Sequence, residues 1–261
     1  MKIGIIPMSA KPFHAGHNSL IRFAAGLELL DKLVELGYAE QQNDKVNVYV
    51  SYSSRGVKNR TKKGVKFEVP IEGEAPVFGK DMEYIWNNIL TTDNLGYTDT
   101  NVSIVTPRES GIASPVRAGF DVANAFKDAK QNNLAQWIDP ISGETYNTDE
   151  TIITFYCGED DLNRYSSEMM TRYYGDLYSN GLISVIGIPR VVSISGTQMR
   201  QYLVSGDIES LKKMLPTDLS EENKEKIAIT LARSVELGRP SSQEYSTNES
   251  LIKNYVSLFI S

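Results

Sequence analysis

Five short apolar runs, separated by stretches with helical spacing, restrict the fold of this chain more than any other feature of its 261 residues. The first covers residues 2 to 7, where Ile3, Ile5 and Ile6 read as a buried strand. Leu20, Ile21, Phe23, Ala24, Leu27, Leu30, Leu33, Val34 and Leu36 then recur near the 3.6-residue period, which predicts one helix over 16 to 36. Further strands are expected at Val46–Val50, Val102–Val105, 151 to 157 and Leu182–Ile188, again with helical segments between them. Alternation of this kind predicts an α/β fold: a doubly wound, Rossmann-like parallel sheet of about five strands with helices on both faces. Residues 1 to 216 are expected to form that unit, with an insertion at about 55 to 80, and 217 to 261 a C-terminal helical extension that packs on the sheet or on another copy of the chain.

The chain has two histidines, His14 and His17, and both lie directly after the first strand, in Pro12-Phe13-His14-Ala15-Gly16-His17. Carboxyl ends of strands are where open α/β sheets bind ligands, and the helix start there presents unpaired N–H groups and partial positive charge to an anion. Residues at i and i+3 share a helical face, so both rings can address one phosphate, while Gly16 lets it approach the backbone. An imidazole can donate hydrogen bonds to phosphate oxygens as charge builds on a leaving group.

A second stretch has the same placement. Ile194-Ser195-Gly196-Thr197-Gln198-Met199-Arg200 follows the last apolar strand, with Ser195 suited to cap a helix and Arg200 about one turn in. There a guanidinium can grip a polyphosphate through two hydrogen bonds. A capped helix with a surface arginine would carry the same residues, so the pairing with the histidine motif decides the reading.

Together the two stretches resemble the H-x-G-H and I-S-x-T-x-x-R signatures of the nucleotidylyltransferase superfamily, and Pro12-Phe13 before the first is most similar to the archaeal type of nicotinamide mononucleotide adenylyltransferase. The resemblance implies direct in-line transfer of a nucleoside monophosphate from ATP or another nucleoside triphosphate to a phosphorylated small-molecule acceptor, with pyrophosphate released. Nicotinamide mononucleotide, giving NAD, is the leading acceptor. On that resemblance His14, His17 and Arg200 are catalytic, Gly16, Ser195 and Thr197 hold the nucleotide phosphates, and Mg2+ is carried with the triphosphate, so no protein metal ligand is expected. The resemblance also assigns Gly158 and Asp160, in Gly158-Glu159-Asp160-Asp161 after the fourth strand, to the nucleotide. Where many relatives have arginine or threonine and then an aromatic residue before the proline, this chain has Ser9-Ala10-Lys11; Lys11 is either a compensating cation at the phosphates or a solvated loop lysine. A cytidylyltransferase acting on a phosphorylated alcohol or sugar, and a non-catalytic nucleotide-binding protein on the same scaffold, remain alternatives.

Candidates for the acceptor site lie at other strand ends. Ser51 ends the second strand, and Arg108 and Arg117 flank a loop in which Ser114 and Pro115 start a helix. The segment from 56 to 80 reads as irregular and begins basic, with Lys58, Arg60, Lys62, Lys63 and Lys66 within nine residues, either a solvated loop or a flap over the phosphates. Residues 131 to 150 read as a polar surface excursion. A net charge of −6 speaks against nucleic acid as a partner. The single cysteine, Cys157, leaves no internal disulfide and suits a reducing compartment, and no apolar run reaches the ~20 residues of a membrane span. The expectation is a soluble cytoplasmic protein without membrane contact.

Overall fold

The computed structural model describes residues 1–62, 64–72, 74–107, 111–190 and 194–237. Five strands form one all-parallel sheet: β1 (Lys2–Met8), β2 (Lys45–Val50), β5 (Val102–Val105), β8 (Ile152–Gly158) and β9 (Ile183–Ile188), in the order β5-β2-β1-β8-β9. Ile5 of β1 lies beside Asn47 on one side and Phe155 on the other, so β1 is the central strand. Alternate side chains of the strands leave on opposite faces. Ile6, Met8, Val46, Val48 and Val50 pack with Ile21 and Phe23 of α1 (Ala15–Ala24), Met82, Ile85 and Trp86 of α3 (Gly79–Asn88), and Ile227 and Leu231 of α9 (Glu221–Leu237). Ile3, Ile5, Tyr49, Ile153 and Phe155 pack with Val122 and Phe126 of α4 (Pro115–Gln131) and Met170 and Tyr174 of α5 (Ser167–Tyr174). The sheet is thus covered on both faces, as its near-continuous apolar strands require.

Gly119 explains how closely α4 lies on the sheet. A Cβ there would come within 3.0 Å of the Phe155 ring, 3.2 Å of Pro7 and 3.3 Å of Ile5. An alanine there would require these side chains to give by a few tenths of an ångström.

Three expectations are corrected. The single helix over 16 to 36 is instead α1 and a short α2 (Asp31–Glu35). Gly26 between them has φ +69, and a Cβ there would sit 2.4 Å from the Gln41 carbonyl oxygen, so the chain turns at a residue only glycine satisfies. The apolar period beyond the turn does not describe one buried face, since Leu27, Val34 and Leu36 are exposed. Residues 56 to 80 are not irregular: β3 (Val57–Lys62) and β4 (Val65–Pro70) form an antiparallel hairpin closed at Gly64, φ +79. Its many lysines masked an alternating pattern. Residues 131 to 150 are more than a surface excursion, because β6 (Gln136–Ile138) and β7 (Thr145–Asn147) pair and bury Trp137 and Tyr146. Asp139 anchors this hairpin to the sheet: its carboxylate, fully buried, accepts from the Tyr49 hydroxyl at 2.6 Å and from the amides of Ile141 and Ser142.

The short α6 (Asp176–Ser179) precedes β9, and α7 (Gly196–Ser205), α8 (Ile208–Lys213) and α9 follow it. Ser220 caps α9, accepting from the Asn223 amide at 3.2 Å, and Leu219, Ile227, Ala228, Leu231 and Val235 belong to the same core as α1. The part of the expected C-terminal helical extension from 238 to 261 lies outside the described residues. Among the described residues no helix is long and apolar enough to cross a membrane.

Candidate active site

A cleft of about 700 Å³ opens at the carboxyl ends of β1, β8 and β9. In this strand order the connections from β1 and from β8 run to opposite sides of the sheet, which leaves a crevice between them for a ligand. The loop and helix start after β1, the turn after β8 and the helix start after β9 all line it.

The first motif is built on the N-terminus of α1. His14 is the N-cap residue, with extended backbone (φ −149), and His17 sits one turn in. The two rings stack with centroids 3.8 Å apart, and Phe13 stacks on the outer side of His17 at 5.7 Å. The His14 backbone N–H donates to His17 Nδ1 at 3.3 Å. An accepting Nδ1 carries no proton, so the neutral His17 ring holds its hydrogen on Nε2. The first amide of the helix, Ala15 N–H, donates to the Met214 carbonyl at 2.9 Å.

The second motif is built on the N-terminus of α7. The Ser195 hydroxyl accepts from the Gln198 amide at 3.1 Å and fixes the helix start. Arg200 Nη2 donates to Thr197 Oγ1 at 3.0 Å, and its Nη1 donates to the carbonyl of Lys11, also at 3.0 Å. A Cβ at Gly196 would meet that guanidinium at 3.3 Å and the same carbonyl at 3.4 Å. The two motifs, far apart in the chain, are therefore joined by a direct hydrogen bond.

The cleft is strongly cationic in a chain of net charge −6. Lys11, Arg55, Arg164, Arg190 and Arg200 line it, against Glu159, Asp160 and Asp161. Arg190 pairs with Asp160 at 2.6 Å and Arg164 with Asp161 at 3.3 Å. Lys11 and Arg55 have no ion pair among the described residues. Burial lowers the Lys11 pKa below its usual value, and the charges of Arg55 and Arg164 lower it further. For Arg200 burial again acts first against the cation, then Arg55, with Glu74 opposing. These cations crowd one another with too few carboxylates to neutralise them, an arrangement that an anion would relieve.

Both imidazoles are neutral at pH 7. Burial, helped by the Arg190 charge and opposed by a backbone hydrogen bond, holds His14 at about 4. Burial and then His14 hold His17 well below its usual value. His14 Nδ1 is buried without a hydrogen-bond partner among the described residues.

Of the remaining residues expected at a site, Gly16, Gly158 and Asp160 line the cleft. Ser51 is buried behind it, its hydroxyl 3.4 Å from that of Ser9, which does line the cleft. Pro115 and Val116 reach the cleft, whereas Arg117 lies on the exposed side of α4, 77% accessible and paired with Asp121 at 2.7 Å. Arg108 lies outside the described residues. Arg55, Arg164 and Arg190 were not singled out from the sequence. The position of Arg190, two residues past the end of an apolar strand, is the signal that could have found it. The thiol of Cys157 lines the cleft but burial pushes its pKa up to about 11, which leaves it an inert strand-end side chain at pH 7.

No protein-family model matches this chain, and no curated protein matches it.

Proposed function

We propose that the chain is a nucleotidylyltransferase: it transfers a nucleoside monophosphate from a nucleoside triphosphate, ATP foremost, to a phosphorylated acceptor, with nicotinamide mononucleotide the leading acceptor. The observation that carries the reading is the hydrogen bond from Arg200 to the Lys11 carbonyl, which brings the H-x-G-H and I-S-x-T-x-x-R stretches to one cationic cleft. In this reading an acceptor phosphate oxygen attacks the α-phosphorus, the bond to the bridging oxygen breaks, and pyrophosphate leaves. Such transfer depends on positioning and charge stabilisation rather than on a protein nucleophile. Neutral His17, with its hydrogen on Nε2, donates to an oxygen of the triphosphate, and His14, which also lines the cleft, gives a second imidazole contact. Arg200, Lys11 and Arg55 hold the β and γ phosphates.

Magnesium, when bound to the triphosphate, neutralises charge on its oxygens while keeping part of its water shell. Among the described residues no cluster of three His, Cys, Asp or Glu side chains makes a metal cage. Asp160 and Asp161, in the cleft wall, are the carboxylates that would hold the ion or its waters.

The test is pyrophosphate release by the full chain with magnesium, each nucleoside triphosphate and a panel of phosphorylated acceptors. Because transfer is direct, exchange of labelled pyrophosphate into the triphosphate is expected only when acceptor is present. Release with CTP and a phosphorylated alcohol alone would replace the adenylyl reading with the cytidylyl one. Triphosphate binding without release under any condition would leave a non-catalytic binder.

A further inference from the structure

The helix that carries the histidines is gripped from below by a segment that contributes nothing to the cleft. Asn18, one residue after His17, is buried, and its amide is used on both sides: Oδ1 accepts from the Tyr97 hydroxyl at 2.6 Å, and Nδ2 donates to Asp218 Oδ2 at 3.0 Å. The same Asp218 oxygen lies 3.5 Å from Arg22 Nη1, one turn further along α1, and Arg22 Nε in turn donates to Glu28 at 2.9 Å. The Met214 carbonyl, four residues before Asp218, takes the Ala15 amide at 2.9 Å. Three points over the first two turns of α1 are thus tied to the stretch between α8 and α9. Burial raises the Tyr97 pKa above its ordinary value, so its hydroxyl stays a donor across the working range.

We infer that the Met214–Asp218 segment sets the rotation of α1 about its axis, and that Asp218 is a positioning residue for His14 and His17. Successive residues of a helix are about 100° apart round its axis, so the angle at which Asn18 is held decides where the preceding His17 ring lies. The capping geometry cannot do this alone, because His14 and His17 contact each other and would turn together. His17 stacks between His14 and Phe13, which meets Trp86 edge-on at 5.1 Å, and a loosened α1 would open that stack to water. Arg190 from the loop after β9 is the charged group that faces His14. The inference rests on the proposed transfer reaction only for its kinetic consequence, since the placement of the rings is observable without it.

The experiment uses Asp218→Ala and the conservative Asp218→Asn, which keeps an oxygen for Asn18. With two histidines in the chain, ring carbon–proton spectra give two signals, assigned with His17→Gln. In Asp218→Ala the His14 titration is expected to rise from about 4 toward the ordinary imidazole value as water reaches the rings, and Asp218→Asn is expected to titrate like the parent. For the transfer, Asp218→Ala should lower kcat by about 10- to 100-fold with KM for the triphosphate nearly unchanged, as misplacement of a catalytic group does. Shifted ring titrations in a protein with no transfer activity would uphold the positioning role and reject the reaction. Ring titrations in folded Asp218→Ala identical to those of the parent would overturn the positioning role, whatever the kinetics. If Asp218→Ala does not fold, Tyr97→Phe removes one donor from the same amide: a smaller shift in the same direction is expected, and no shift overturns the inference.

Discussion

Acidification should remove stability through His14, and the amount follows from its surroundings. In the unfolded chain this imidazole binds a proton near 6.5, whereas in the fold it resists until about 4, chiefly because it is only 9% exposed, with Arg190 adding to the effect. Between these values the unfolded state holds more protons than the folded state, so stability rises with pH across the window. It is fully present above 6.5 and lost as the pH falls toward 4. A difference of roughly 2.5 pKa units corresponds to about 3 kcal/mol, a large part of the 5 to 15 kcal/mol that holds a typical domain together. His17 is held down in the same direction by burial and by His14 itself, so its contribution adds. Carboxylates such as Glu144, held below its ordinary range by Lys45 and Tyr146 against the opposing effect of burial, also lose stability on acidification. Comparing parent with His14→Gln cancels them. Urea unfolding followed by circular dichroism at pH 7.5 and pH 4.5 should show the parent losing about 2 to 3 kcal/mol more than the variant. Equal losses in the two proteins would show that His14 is not the buried, neutral imidazole described above.

Further outcomes follow from other parts of the structure. His17→Ala is expected to lower kcat for transfer on the order of 10²- to 10³-fold while acceptor KM changes little, the mark of a donor that matters where charge develops; steady-state kinetics with equal kcat would show the ring to be a bystander. Arg200→Lys cannot reproduce the paired bonds to the Lys11 carbonyl and Thr197 Oγ1, so kcat/KM for the triphosphate should fall at least about tenfold, and a change under about twofold would contradict the convergence of the motifs. Trp86→Ala removes a side chain that is 1% exposed and should cost about 3 to 5 kcal/mol in chemical denaturation. Gly26→Ala adds a Cβ 2.4 Å from a carbonyl oxygen at φ +69 and should destabilise by more than about 1 kcal/mol, measured as a fall in Tm.

The parts of the molecule legible in the sequence were those in which one local signal had one structural meaning. Ile3, Ile5 and Ile6 read as a buried strand and Ser195 as a helix cap, and the structure has β1 and the start of α7 there. Where two signals overlapped, the reading failed. Leu27, Leu30 and Leu33 continue the helical period past Gly26, but periodicity says nothing of the Gln41 carbonyl that requires a glycine there. In Val57–Pro70 the charge run hid the alternation of a hairpin, and between 131 and 150 the polar turn residues hid the anchoring of Trp137, Asp139 and Tyr146. At the site, the motif residues were found because they adjoin one another in sequence. Arg55, Arg164 and Arg190 come from three separate segments that follow β2, β8 and β9, Arg164 from a 3-10 helix over Glu159–Tyr165, and meet only once the sheet is formed. Arg117 shows the converse: it has the right place in the chain, but the rotation of α4 turns it outward to Asp121 while Pro115 and Val116 face the cleft.

In the proposed reaction one triphosphate tail touches the stacked imidazoles and Arg200 at once. Titration of the full chain with magnesium and each nucleoside triphosphate, followed by the ring signals of His14 and His17, tests it most directly. Both signals should move with a single saturation curve for at least one nucleotide, and Arg200→Ala should shift that curve to higher concentration for both rings together. Ring signals that stay fixed at saturating concentrations of all four nucleotides, or that move with the same affinity in Arg200→Ala, would contradict the claim.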